Sequence, residues 1–271
     1  MQVSNKVWVV TGAGSGMGRE LVLQLLGRGA RVAAVDRNPD GLAEVSAAAS
    51  AGVRLSTHVV DITDRAAVRS LPEQVEAAHG VVDGLVNNAG IIQPFVPVTD
   101  LDDATIQRVL DVNLMGTLHM VQAFLPRLLS RPEAHIVNVS SMGGFFPFPG
   151  QTMYGASKAA VKLLSEGLYA ELLDTAVEVT VIFPGAVETS ITANSGVDQP
   201  ATEGDSKVPM TSADNAARII LKGVEANKLH VYVGIDAKLM NLAIKIAPRP
   251  AIRFVQKQMS KHLGVSEQGA R

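Results

Sequence analysis

The chain has 271 residues, 47% of them hydrophobic, a formal net charge of -2 and no cysteine. Disulfides, thiolate catalysis and zinc–cysteine sites are therefore excluded together, and there is no global basic excess to suggest nucleic acid as a partner. No run approaches the roughly 18 apolar residues of a spanning helix, and the first strand begins near Lys6, which leaves no room for a leader. The expectation is a cytoplasmic protein of one domain. Short valine- and isoleucine-rich runs then alternate with amphipathic stretches. Strands are expected over 7–10, 31–35, 53–60, 84–87, 135–139, 177–183 and 230–233. Helices are expected over 17–28, 40–50, 64–79, 103–130, 155–173 and 212–226. Most of the strand runs are nearly continuous in apolar residues, as strands buried on both faces must be. The alternation predicts an α/β fold: a doubly wound parallel sheet of about seven strands with helices on both faces and right-handed crossovers. The segment 190–211 is polar, holds Gly196, Pro200, Gly204 and Pro209, and has no period. It reads as a binding loop or a plain surface loop.

The first strand runs into Thr11-Gly-Ala-Gly-Ser-Gly-Met-Gly18, and a helix pattern follows. Gly12, Gly16 and Gly18 let the backbone turn tightly and approach a pyrophosphate. The helix start offers free N–H groups to that phosphate. An acid, Asp36, ends the second strand. Its carboxylate can accept from ribose hydroxyls and repels a 2′-phosphate, which favours NAD over NADP. Arg37 argues the other way, since a guanidinium can hold a phosphate; the strand-end position gives the decision to Asp36.

Several spaced motifs now resemble the short-chain dehydrogenase/reductase family over about residues 5–235. They are the glycine motif, Asp61 in Val60-Asp-Ile-Thr-Asp64, Asn87-Asn-Ala-Gly90, and Asn113 in Asp111-Val-Asn-Leu-Met-Gly116. Ser141, the pair Tyr154 and Lys158 in Tyr154-Gly-Ala-Ser-Lys158, and Pro184-Gly185 with Thr189 complete the set. The resemblance implies a Rossmann fold and places cofactor contacts at Gly12, Ser15, Gly16, Met17 and Gly18 in the first loop. It places others at Asp36 and Arg37, at Asp61 and Ile62, and at Asn88, Ala89 and Gly90. It also places Tyr154 and Lys158 among these contacts, the lysine at the nicotinamide ribose, and puts Pro184, Gly185, Val187 and Thr189 in the segment that meets the carboxamide. It also implies that Asn113 helps bind a water relaying protons to the lysine, and that subunits join as dimers or tetramers through the helices near 103–130 and 155–173.

The residues themselves point to proton transfer. Tyr154 and Lys158, four apart, share a helix face. Free tyrosine has a pKa near 10, and a nearby ammonium is expected to lower it toward use as a general base or acid. Ser141 can donate to a substrate oxygen as charge develops there. Asn113 is expected to be catalytic, although a satisfied core amide has the same sequence appearance. Together Asn113, Ser141, Tyr154 and Lys158 predict NAD-dependent interconversion of a secondary alcohol and a ketone. The alternatives are an NADPH-dependent carbonyl or 3-oxoacyl reductase, and a nucleotide-sensing protein without catalysis. The stretch 142–153 carries Phe145, Phe146 and Phe148. With Ser141 and Phe95, Phe146 and Phe148 are the expected substrate contacts, and they suggest a lipophilic or ring-bearing alcohol or ketone. The six histidines show no ligand spacing, so no metal is expected.

The chain divides into a catalytic domain over 1–237 and a basic amphipathic extension over 238–271. Six lysines and arginines stand between 238 and 262 with no acid. Ile252, Val255, Met259 and Leu263 recur at helical spacing, and Pro248 and Pro250 divide two short helices. The extension can cover the substrate cleft, pack on a second subunit, or lie on an anionic membrane surface. Cleft or subunit packing is the expectation.

Overall fold

The computed structural model of the chain describes residues 1–197 and 210–263. In chain order the elements are β1 (Val7–Thr11), α1 (Gly16–Gly27), β2 (Arg31–Asp36), α2 (Pro39–Ala49), β3 (Leu55–Val59), α3 (Arg65–His79) and β4 (Gly84–Asn87). There follow α4 (Asp103–Leu110), α5 (Thr117–Leu128), β5 (Ala134–Val139), α6 (Thr152–Glu171), β6 (Val177–Pro184), β7 (Val187–Glu188) and α7 (Ile191–Ser195). The last are β8 (Thr211–Ser212), α8 (Ala213–Glu225), β9 (His230–Val233), α9 (Ile235–Ile246) and α10 (Pro248–Leu263).

Seven strands form one parallel sheet in the order β3-β2-β1-β4-β5-β6-β9. Side chains alternate across it, so each valine-rich strand feeds two cores. Trp8 and Val10 of β1 pack with Leu21 and Leu25 of α1 and Ile220 of α8. Val7 and Val9 pack on the other face with Leu71 of α3, Phe124 of α5 and Leu168 of α6. Burial of each such side chain contributes roughly 1.5–3 kcal/mol. This doubly covered sheet of seven strands in one domain is the one the apolar runs predict.

The sheet winds outward from β1 to β3 and then returns to set β4 on the far side of β1. Connections leave the two strands in opposite directions there, and a crevice opens beyond their carboxyl ends. Some helix starts are capped by a side chain: Asp64 accepts from Ala66 and Ala67, and Asp102 accepts from Thr105 at 2.7 Å. The first residue before α1, Ser15, makes no such bond. The N–H groups of that helix start therefore face the crevice without a side-chain cap.

Three elements depart from the sequence expectation. Strand β3 is shorter, because Gly52–Arg54 forms a 3-10 turn with Gly52 at φ +55; as the sheet edge it is half-exposed. The helix expected over 103–130 is interrupted by a wide π-helical turn, Asp111–Gly116, which holds Asn113. The loop expected over 190–211 contains α7, and β7 pairs with β8; its residues 198–209 lie outside the described ones.

Candidate active site

A cleft of about 570 Å³ occupies the crevice. It is lined by the glycine loop, the ends of β2 and β3, the Asn88–Gly90 turn and α7. Gly12, at φ +64, lets this turn come close, since a side chain there would meet the Ala89 backbone at 2.9 Å. Thr11 then staples the two loops: its Oγ1 accepts the N–H groups of Asn88 and Ala89 at 3.0 and 3.1 Å. Asn88 Nδ2 donates back to the Thr11 carbonyl at 3.0 Å.

At the adenosine end predicted from sequence, Asp36 Oδ2 accepts the Gly14 N–H at 2.8 Å and Oδ1 accepts the Asn38 N–H at 3.0 Å. Each oxygen keeps a lone pair for a further donor. Arg37 lies across the cleft edge and donates to the Asn194 carbonyl at 3.3 Å. Asp61 closes a turn on Thr63 at 2.9 Å. Asn194 also donates to Ser15 Oγ at 2.8 Å, so α7 bridges the glycine loop and the end of β2.

Of the expected cofactor residues, Gly12, Ser15, Gly16, Met17, Asp36, Arg37, Asp61, Ile62, Asn88, Ala89, Gly90 and Thr189 line this cleft. Gly18 does not: it is buried behind the loop, where a side chain would overlap the Gly12 carbonyl. It sets the approach of α1 to the loop instead. Pro184, Gly185, Val187, Tyr154 and Lys158 also lie outside the lining. The Pro184–Gly185 turn is held by Asp236 of α9, whose Oδ2 accepts the Ala186 N–H at 2.7 Å.

Of the residues expected to transfer protons, Asn113, Ser141, Tyr154 and Lys158, none lines this cleft. Gly90 lines the cleft, and a side chain there would stand 3.0 Å from Lys158 Nζ and 3.2 Å from Asn113 Oδ1. Lys158 is buried and donates to the Val139 carbonyl at 3.0 Å. The Tyr154 ring and Ser141 Oγ flank Gly143, at 3.3 and 3.4 Å from where its side chain would begin. Ser141 Oγ accepts the Gly143 N–H at 3.0 Å, which leaves its own proton to donate. Asn113 is fully buried, and its amide is committed: Oδ1 accepts from Ile91 at 2.9 Å, and Nδ2 donates to the Ile91 carbonyl and Ser157 Oγ at 2.9 and 3.0 Å. Its side chain ties Ile91, just after the Asn87–Gly90 turn, to Ser157 of α6.

Electrostatics correct one expectation. Burial pushes the Tyr154 phenol up, and the opposing hydrogen bond comes from Ser141. Burial pushes Lys158 down to about 8. Desolvation therefore favours the neutral form of each group, against the expectation that the tyrosine is lowered.

Gln93 escaped the sequence reasoning. It is fully buried, its Oε1 accepts the N–H groups of Met153 and Tyr154 at 2.8 and 2.9 Å, and its Nε2 donates to the Gly150 carbonyl at 2.9 Å. Gln151 Nε2 donates to the Gln93 carbonyl at 2.9 Å. A lone amide between Ile92 and Pro94 was the available signal.

The substrate prediction is corrected in part. Phe146 is fully buried and belongs to the packed interior, with Phe148 against it at 5.4 Å between centroids. Phe145 packs edge-on to Phe183 and Tyr232. Phe148 and Phe95 remain half-buried, and the Phe95 backbone abuts Gly150. Neither lines the cleft. Among the described residues no group of three or more metal-ligating side chains is assembled.

The chain belongs to the short-chain dehydrogenase family: its residues 6–200 match the family profile described as short chain dehydrogenase. Its enzymes are NAD(P)-dependent oxidoreductases, and this chain is one of them. The 1-deoxy-11-beta-hydroxypentalenate dehydrogenase of Streptomyces avermitilis is 35% identical over 88% of this chain and 88% of that one. A short-chain dehydrogenase/reductase from Burkholderia phymatum in complex with NAD superposes with a TM-score of 0.81, at 25% identity, over 91% of this chain and 96% of that one. A short-chain dehydrogenase from Burkholderia cenocepacia in complex with NADP gives 0.80, at 29% identity, over 94% and 99%.

Proposed function

We propose that the chain is an NAD-dependent oxidoreductase that interconverts a secondary alcohol and its ketone, with Tyr154 moving the proton. The observation that carries this is that Lys158 and Asn113 adjoin Gly90 on the cleft wall, while Tyr154, one turn before Lys158 on α6, flanks Gly143 together with Ser141. The cleft fits a dinucleotide: side chains at Gly12 and Gly16 would fill it or displace its walls, and no side chain caps the start of α1. NAD bound there supplies the hydride acceptor. The uncapped N–H groups of α1 hold the pyrophosphate, and Asp36 reads the ribose hydroxyls.

In the reducing direction the neutral Tyr154 phenol gives its proton to the carbonyl oxygen. Ser141 donates a hydrogen bond to that oxygen as charge builds on it. In the oxidising direction Tyr154 must first lose its proton and then takes that of the alcohol. Lys158, charged below about pH 8, favours the phenolate.

NAD is favoured because the Asp36 carboxylate would repel a 2′-phosphate, while Arg37 is turned onto the Asn194 carbonyl. A lipophilic, ring-bearing substrate is supported by half-buried Phe95 and Phe148 beside the catalytic loop and by the 1-deoxy-11-beta-hydroxypentalenate named for the Streptomyces relative. A homo-oligomer is supported by the exposed small and apolar face of α6, formed by Ala156, Ala159, Leu163, Gly167 and Ala170.

Fluorescence titration with NADH and NADPH, together with turnover of Tyr154→Phe on a panel of cyclic secondary alcohols, tests the proposal. The expected result is tighter NADH binding, lost in Asp36→Ala, and no turnover by the Tyr154 variant despite normal NADH affinity. Tighter NADPH binding makes Arg37 the cofactor reader and supports reductase activity instead. Near-normal turnover without the phenol removes the mechanism.

A further inference from the structure

A chain of net charge -2 concentrates six cations and no acid between 238 and 262. The structure sorts them. On α9, Ile235, Leu239, Leu242 and Ile246 recur at spacings of four, three and four residues, so they share one face. All four are exposed, by 75%, 56%, 56% and 73%. Lys238 and Lys245 stand beside this stripe, both exposed. On α10, Arg249, Arg253 and Lys257 are four residues apart and all exposed, a row of charge along one side. None of these five cations forms an ion pair among the described residues. Between the two helices Leu242, Ile246, Ala247, Ala251 and Phe254 line an open apolar groove of about 490 Å³, and no charged residue lines it.

The surface is anchored and does not dangle. Ala237 is fully buried, and α9 packs against β9 and the Met142–Gly144 turn that follows Ser141. Of the residues expected to share an apolar side of α10, Val255 and Met259 are half-buried, Ile252 is exposed, and the Leu263 side chain lies outside the described residues; Ala251 is half-buried and Phe254 exposed.

We propose that the α9–α10 face docks on an anionic lipid bilayer surface, with the Leu239–Leu242–Ile246 stripe and Phe254 in the acyl boundary and the lysines and arginines at the headgroups. Two opposing requirements select this occupant. The apolar stripe gains by leaving water, and the unpaired cations gain by meeting anionic headgroups that keep them solvated. A second copy satisfies only the first: a two-fold contact sets the same patch against itself and brings cation rows together. Nucleic acid satisfies only the second. The inference does not depend on which cofactor or substrate the cleft takes.

The experiment is co-sedimentation of the full chain with vesicles of phosphatidylcholine alone and with vesicles of which about one third is phosphatidylglycerol. Binding is expected only to the anionic vesicles, falling roughly tenfold or more as salt rises from about 0.1 to about 1 M. The triple variant Arg249→Glu, Arg253→Glu, Lys257→Glu should lose that binding by a similar factor, and so should Leu242→Gln with Ile246→Gln. Every altered side chain is exposed, so circular dichroism and NADH titration should match the parent and show that the variants are folded. Equal sedimentation with neutral and anionic vesicles, or none with either, overturns the proposal. So does a triple variant that changes the oligomeric state on gel filtration while vesicle binding stays intact, which assigns the face to a second copy.

Discussion

Gln93 holds Tyr154 by its backbone: the buried Oε1 of the glutamine accepts the Tyr154 N–H at 2.9 Å, at the first turn of α6. The same oxygen takes the Met153 N–H, and the carboxamide nitrogen reaches the Gly150 carbonyl. One amide from the loop after β4 therefore caps the helix that carries Tyr154 and Lys158, in place of the absent side-chain cap of Gln151.

Replacing Gln93 by leucine should leave two partly buried helix-start N–H groups without their acceptor, at a cost of about 1–3 kcal/mol at most. The larger effect should be on chemistry, because small misplacement of a proton donor can lower rates by roughly a hundredfold. Steady-state kinetics should show kcat down at least tenfold with NADH affinity nearly unchanged, and Gln93→Glu, which retains the acceptor oxygens, should recover part of the loss. An unchanged kcat in the leucine variant would separate the loop from the placement of Tyr154.

The opposite demands of the two reaction directions give a pH prediction. Burial raises the Tyr154 phenol, so the neutral form prevails at neutral pH. Ketone reduction needs that form and should hold steady through neutrality, then decline in alkali. Alcohol oxidation needs the phenolate and should rise with pH. Lys158, lowered to about 8, loses its charge above that value and with it the attraction that favours phenolate, so the rise should slow there. Profiles of kcat/KM measured in both directions should mirror one another; parallel profiles would assign the proton to another group.

How far the residues foretell this site depends on how local the signal is. The strand–loop–helix opening, the Tyr154–Lys158 pair and the β4 turn lie within short segments, so their placement was readable from the sequence. Phe146 illustrates the limit: an aromatic residue in a substrate loop looks the same whether it turns outward or joins the core, and only packing against Phe148 decides. Asn113 shows the same ambiguity, since its partners, Ile91 and Ser157, are 22 and 44 residues away. Gln93 meets Tyr154 across 61 residues and leaves no periodic trace. The break in the 103–130 helix is invisible because residues in a π-helical turn keep ordinary helical propensity.

The exposed face of α6 carries the prediction for assembly. Leu163 is 68% exposed between Ala159 and Gly167, and nothing lies within 4 Å of where a Gly167 side chain would begin. Small residues let a second helix approach closely, and a large exposed leucine then fills the contact. Leu163→Glu should shift the protein to smaller species in analytical ultracentrifugation while leaving its circular dichroism spectrum intact. An unchanged sedimentation profile would place any subunit contact on another face.

His135 sets the last prediction, on stability in acid. It lies fully buried in β5, its Nε2 is 2.8 Å from Thr180 Oγ1, and its Nδ1 has no partner. Burial pushes its pKa down to about 3, with repulsion from the N-terminal ammonium adding to the effect. The folded state therefore keeps the ring neutral where the unfolded chain, titrating near 6.5, takes up a proton. Stability contributed by this group is full above that unfolded value and declines as pH falls toward the folded one. The loss should be roughly 2 kcal/mol between pH 7 and pH 5, and about 4 kcal/mol by pH 3. Protonation in place is unfavourable for a second reason: it would create a buried Nδ1–H with no acceptor. His135→Gln retains a donor toward Thr180 and cannot titrate. Urea denaturation from pH 7 to pH 4 should therefore show a shallower decline in the variant than in the parent, even where the variant is less stable at pH 7. Parallel declines would move the acid sensitivity to other groups.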